Sequence, residues 1–222
     1  MKQIFNVLLI AFLPFMLNAQ TKINGIGLFK LGALKSKVLD SLVKITGRSI
    51  LEVNYQPVSE VFEKKLDGVY KLNHSTNCPL EDEYQIYSIE ILFIQIKEIT
   101  IKFYNDSLYS LECKGSSELD DALDTKYGKA KIEEDTKIIY CQNNFTGAKI
   151  QHQENDFTKT WRKDKQVECW RLLSNYYNDD CKEKHLYGFY LINLILDKEA
   201  NDCWRAEYKK KTEDKKNKLD KF

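Results

Sequence analysis

Six cysteines, Cys78, Cys113, Cys141, Cys169, Cys181 and Cys203, are the side chains of this 222-residue sequence best suited to covalent chemistry. In an oxidising compartment such a set forms disulfides, and the sequence alone leaves the connectivity open. Cys113 and Cys141 stand on β runs that flank one short helix, so they are expected to pair. The stretch Cys181-Lys-Glu-Lys-His185 has a metal-like spacing, but no CxxC pair accompanies it to complete a closed set of ligands. No metal and no cofactor is expected. His74, His152 and His185 have no motif neighbours and read as surface or packing residues. GxSxG, HExxH, a Walker loop and the kinase signatures are all missing from the sequence. Carboxylates gather at Glu81-Asp82-Glu83, Asp120-Asp121 and Glu133-Glu134-Asp135. Paired acids hydrolyse glycosides when a cleft holds them at a set separation; beside turns and helix starts they are ordinarily solvated. Trp161, Trp170, Tyr176 and Tyr177 belong to a dense aromatic stretch that also holds Tyr187, Tyr190 and Trp204. Exposed on a sheet, such rings stack on sugars or anchor a protein partner; buried, they fill a core.

The compartment that would oxidise these thiols is written in residues 1–20. Lys2, the apolar run Val7–Leu17 and the small residue Ala19 form the three parts of a secretory signal peptide, with residues 1–19 removed. The apolar run, roughly ten residues interrupted by Pro14, is short of the ~20 that a spanning helix needs. No cysteine lies at the boundary to carry a lipid, and no later stretch is long and apolar enough to cross a bilayer. Secretion or a periplasmic location is the expectation. The whole chain has 34 basic and 33 acidic residues, a formal charge of +1. Loss of Lys2 makes it neutral, which argues against an extended nucleic-acid surface. Residues 207–222 carry seven Lys against four acids, so the body is mildly acidic and the tail basic.

The elements that position these residues follow from periodicity. Gly25–Gly32 reads as a short strand ending in a glycine turn. Leu34, Val38, Leu42 and Ile45 then follow helical spacing, and Gly47 stands where a left-handed cap ends a helix. Glu60–Val69 reads as a short helix or strand. From Tyr84 the pattern turns β: Ile89, Ile91 and Phe93 alternate, as do Ile99, Ile101 and Phe103. Asn105-Asp106 then predicts a hairpin, because both side chains tolerate positive φ. Ser116 or Ser117 caps a second helix with Leu119, Ala122, Leu123 and Tyr127 on its apolar face and Gly128 at its end. Further β runs follow at Lys137–Gln142, Ala148–Gln153, Lys159–Arg162, Val167–Leu173 and Leu186–Leu196, and a C-terminal helix begins near Asp197. Sequons stand at Asn73, Asn105 and Asn144. The sum is an α+β fold: an antiparallel sheet with short helices packed on one face, a strand–helix unit used twice, and a C-terminal helix. Residues 20–206 form its domain, with halves at 20–82 and 83–206, and 207–222 form a charged tail.

The segment Ile101-Lys-Phe-Tyr-Asn-Asp-Ser-Leu-Tyr-Ser-Leu111, its helix and Tyr127-Gly-Lys129 resemble a group of small exported bacterial proteins with α+β repeats similar to those of β-lactamase inhibitory protein. In that group a strand, a turn and a short helix lead through YGKP or FGKP into an antiparallel sheet. Ala130 stands here where the proline would be, and the resemblance covers about 75 residues. It implies a fold and a non-enzymatic habit, and it implies no active site. The expected function is therefore a secreted or periplasmic binding or inhibitor-like protein, whose partner is a protein or glycan of the envelope or beyond it. A carbohydrate-acting hydrolase using paired carboxylates is the alternative.

Overall fold

A computed structural model describes residues 22–54, 60–73, 78–142, 147, 149–178 and 181–219. The signal segment 1–19, His74 and the sequon at Asn144 lie outside the described residues. The chain is mixed α and β, built on a large sheet. Strands β1 (Gly25–Ile26) and β2 (Phe29–Lys30) form a small hairpin, followed by helix α1 (Lys35–Thr46). Then come β3 (Ile50–Asn54), the single turn α2 (Glu60–Glu63) and β4 (Val69–Asn73). The meander β5 (Glu81–Ile91), β6 (Ile94–Tyr104) and β7 (Ser107–Lys114) leads into α3 (Ser117–Tyr127). Four long strands, β8 (Lys131–Gln142), β9 (Lys149–Lys163), β10 (Val167–Tyr177) and β11 (Glu183–Asn193), precede α4 (Leu194–Leu219).

Among the described residues nine strands join in the order β3-β4-β5-β6-β7-β11-β10-β9-β8. The pairing of β3 with β4 is parallel and all the others are antiparallel, which corrects the wholly antiparallel expectation. The parallel pair is available because α2 lies on the connection between the two strands. The halves 20–82 and 83–206 share this sheet, and β5 itself crosses their boundary.

One buried cluster organises the sheet. Ile86, Ile99, Ile101, Phe103, Leu108, Leu111, Phe189 and Leu191 meet Val38, Leu39 and Leu42 of α1 and Leu119 and Leu123 of α3. Each large side chain taken fully from water contributes about 2–3 kcal/mol, so this face holds the fold together. Gly47 ends α1 at φ 64°, and its N–H bonds Val43 O at 2.9 Å. Ser116 caps α3 by accepting from Leu119 N at 3.2 Å. Tyr109 and Ala200 are buried outside that cluster, and α4 runs beside β6, β7 and β11 on the sheet's other side.

The two helices that the expected strand–helix unit would share have different strands before them. Before α3 stands β7, at the centre of the sheet; before α1 stands β2, two residues long and paired only with β1. Three further boundaries differ from expectation. The runs expected at Ala148–Gln153 and Lys159–Arg162 are joined from Lys149 onward in one strand, because Asn155 and Asp156 pair straight across to β8 and β10, and Ala148 lies outside the described residues. The strand expected through Leu196 stops at Asn193, whose Oδ1 accepts from Ile195 N at 3.1 Å and Leu196 N at 3.3 Å and starts α4. Phe93, expected within an alternating strand, lies in the β5–β6 turn. No helix among the described residues is long and apolar enough to cross a membrane.

Candidate functional site

The β5–β6 turn holds the two most exposed large apolar side chains among the described residues. Leu92 is 82% and Phe93 95% exposed. Ile91 pairs with Ile94 across a two-residue connection, with φ of 51° at Leu92 and 67° at Phe93. Positive φ at both central positions is the geometry of the tight turns that match strand twist, where Asn and Gly are the usual occupants. The β6–β7 turn uses the same geometry with Asn105 (φ 47°) and Asp106 (φ 60°). A branched or bulky side chain in that region costs roughly 1–2 kcal/mol per residue. Leu92 and Phe93 therefore carry backbone strain while exposing apolar surface.

The tip stands between two depressions. An apolar crevice of about 80 Å³ runs along it, lined by Ile26, Ile91, Leu92, Ala122, Leu123 and Tyr127. On its other side a polar groove of about 440 Å³ is lined by Phe93, Gln95, Lys97, Lys114, Ser116 and Glu118. Lys114 pairs with Glu98 at 3.2 Å. The backbone N–H of Glu118 itself and the Ser116 hydroxyl hold the Glu118 carboxyl below the ordinary carboxylate range. The start of α3 is thus already supplied with an anion of its own.

Most of the acids singled out in the sequence are paired elsewhere. Asp82 meets Lys35 at 2.7 Å and Lys71 at 3.0 Å. Burial works to raise the Asp82 carboxyl, yet the two hydrogen-bonded ammonium groups outweigh it and leave it below the usual range. Glu81 accepts from the Tyr109 hydroxyl at 2.5 Å, and Glu83 faces Lys102 at 3.6 Å. Asp120, at the first turn of α3 and 2% exposed, pairs with Arg171 and with Lys159 at 2.8 Å. Arg171 also donates to Ser116 O at 3.2 Å. This trio fastens α3 to β9 and β10. Asp121 is exposed, and Glu133 holds Lys131 at 2.5 Å.

The aromatic candidates do not form one platform. Trp161 donates to Asp124 Oδ1 at 2.8 Å and lies 6.2 Å from Phe189, within the packing beneath α3. Trp170 stacks on Tyr190 at 4.2 Å, and the Tyr190 ring lies across Gly188, where a Cβ would come within 2.5 Å of it. Tyr177 stacks on His152 at 4.1 Å, and Tyr176 is exposed. His185 Nδ1 meets Asn175 Oδ1 at 2.7 Å. Among the described residues no three His, Cys, Asp or Glu side chains converge on a metal position.

Cys78 and Cys203 form a disulfide with Cα atoms 5.4 Å apart, tying the start of β5 to α4. The expected Cys113–Cys141 bridge does not form. Their strands β7 and β8 stand four places apart in the sheet, roughly 19 Å at ordinary strand spacing. Cys113, Cys141, Cys169 and Cys181 are thiols. Burial pushes the Cys113 thiol up to about 12.

Leu92 and Phe93 were missed as site residues, although their signal is in the sequence. Apolar positions fall at 89 and 91, then at 94 and 96, so the alternation changes phase at the intervening pair. A phase change across two residues marks a hairpin whatever the turn residues are. Neither a protein-family model, nor a curated protein, nor a solved structure matches this chain.

Proposed function

We propose that this is an exported, non-enzymatic binding or inhibitor-like protein that engages a protein partner by inserting the Leu92–Phe93 tip into an apolar cleft. The observation that carries the reading is the combination of strain and exposure at these two residues. The turn needs this conformation, but Leu and Phe bear strain there that Asn or Gly would avoid, and that choice points to use by something outside the fold. A projecting Leu-Phe pair suits a partner's pocket, as aromatic and aliphatic anchors do at binding hot spots. A glycan is the weaker match, since the rings that could form a flat platform are divided between packing positions. The signal-like segment 1–19 and the Cys78–Cys203 bridge support an oxidising compartment. The resemblance to the β-lactamase inhibitory protein group supports a binding habit with a repeated strand–helix plan. The paired-carboxylate hydrolase has no observation in its favour, because Asp82 and Asp120 hold cations.

The test compares wild type with the double variant Leu92→Asn/Phe93→Gly, which keeps the turn and removes the apolar tip. A photo-crosslinking residue at position 93 should trap a protein from the producing organism's envelope. The same protein should be retained on immobilised wild type and lost on the variant. Equal retention on both, or crosslinks to no protein at all, rules the tip out as the contact.

A further inference from the structure

We propose that Cys141 and Cys181 are a thiol pair that closes to a second disulfide, stapling edge strand β8 to the β10–β11 turn. The sheet is forked at this place. The ladder between β9 and β10 ends at Asn155–Asn175. Beyond it, β8 and β9 stay paired as far as Gln142–Lys149, and β10 and β11 as far as Tyr177–Glu183. Side chains bridge the fork: Tyr177 N donates to Glu154 Oε1 at 3.0 Å, and Tyr177 stacks on His152. At its mouth Cys181 Sγ donates at 3.7 Å to the carbonyl of Gln142, the residue next to Cys141, and the Cys181 side chain helps to raise the Cys141 thiol. Cys181 sits at φ 58° in a turn closed by Cys181 N to Asn178 O at 2.8 Å and Lys182 N to Asn178 Oδ1 at 2.8 Å. That conformation, uncommon for a cysteine, presents its sulfur to β8.

The other two thiols differ in kind. Cys113 and Cys169 are fully buried on β7 and β10, with β11 between them. Two strand spacings, about 9.6 Å, exceed the Cα separation a disulfide spans. Cys181 is partly exposed and is the sulfur an oxidant reaches first; Cys141, nearly buried, is the resolving partner. The oxidant is a disulfide, either glutathione disulfide or a dithiol oxidoreductase in its oxidised form. The Cys181 thiolate attacks one sulfur of that disulfide and expels the other as a thiolate. The Cys141 thiolate then displaces the remaining half from the mixed disulfide. Two protons leave the protein, and the two electrons leave with the oxidant as its reduced thiols.

Purified full-length protein is equilibrated across ratios of reduced to oxidised glutathione, alkylated under native conditions and mapped without reduction. Peptides carrying Cys141 and Cys181 should appear linked at the oxidising end and alkylated at the reducing end. Cys113 and Cys169 should accept label only after denaturation. Amide exchange in β8 should slow about tenfold or more on oxidation in wild type and stay unchanged in Cys181→Ser. Cys141 and Cys181 alkylated at every ratio, or either one linked to another cysteine, would overturn the assignment. So would an equal slowing of β8 in Cys181→Ser.

Discussion

Leu92 and Phe93 share a backbone conformation with Asn105 and Asp106 but not their chemistry. Asn and Asp enter the left-handed region cheaply, whereas Leu and Phe crowd their own backbone there. Replacing the pair by Asn-Gly should raise the stability of the fold by about 1–2 kcal/mol, since little apolar burial is lost from side chains so exposed. A thermal melt that falls instead would show that the tip contributes to packing. Asp82 makes a second residue-level case. Its folded carboxyl titrates below its unfolded value, so its contribution is present above the unfolded carboxylate range and disappears as pH falls through the folded one. Partial solvation discounts the contribution to about 1 kcal/mol. Asp82→Asn should cost that much at pH 7, and denaturant melts of variant and wild type should converge as pH falls below about 4.

At the scale of elements, α3 depends on both an apolar face and a buried ion trio. Leu119 and Leu123 join the core, while Asp120, one residue further round, meets Arg171 and Lys159 beneath the helix. Asp120→Asn leaves two cations without their counter-charge and should cost about 3–5 kcal/mol. Asp120→Leu with Arg171→Met should recover most of that loss; denaturant midpoints of the two variants make the comparison. The capping residues and apolar spacing of α1 and α3 were readable from the sequence, because both are local. The start of α4 lies three residues before the Asp197 that the sequence suggests, since Leu194–Leu196 is apolar enough to prolong a strand. The Asn193 side chain decides the switch by holding the first free N–H groups of the helix.

Across the whole molecule, the sheet makes one core from segments far apart in the chain, and the Cys78–Cys203 bridge closes a loop over 125 positions of sequence. Removing it by Cys78→Ser with Cys203→Ser should cost about 2–5 kcal/mol of global stability. Amides of α4 around Cys203 should also exchange faster in the variant than in wild type, because the bridge ties the body of the helix to the chain ahead of β5. An unchanged melt would mean that α4 is held by packing alone. What the sequence determined by itself was local: helix faces, caps, the Asn105-Asp106 turn and a mixed α and β composition. These depend on neighbours within a few positions. Strand order, the single parallel pair, the identity of the bridged cysteines and the fork that brings Cys141 to Cys181 were decided only in the tertiary structure. Each depends on which strands lie side by side, and period-two alternation records which face a residue takes but not which strand it will meet.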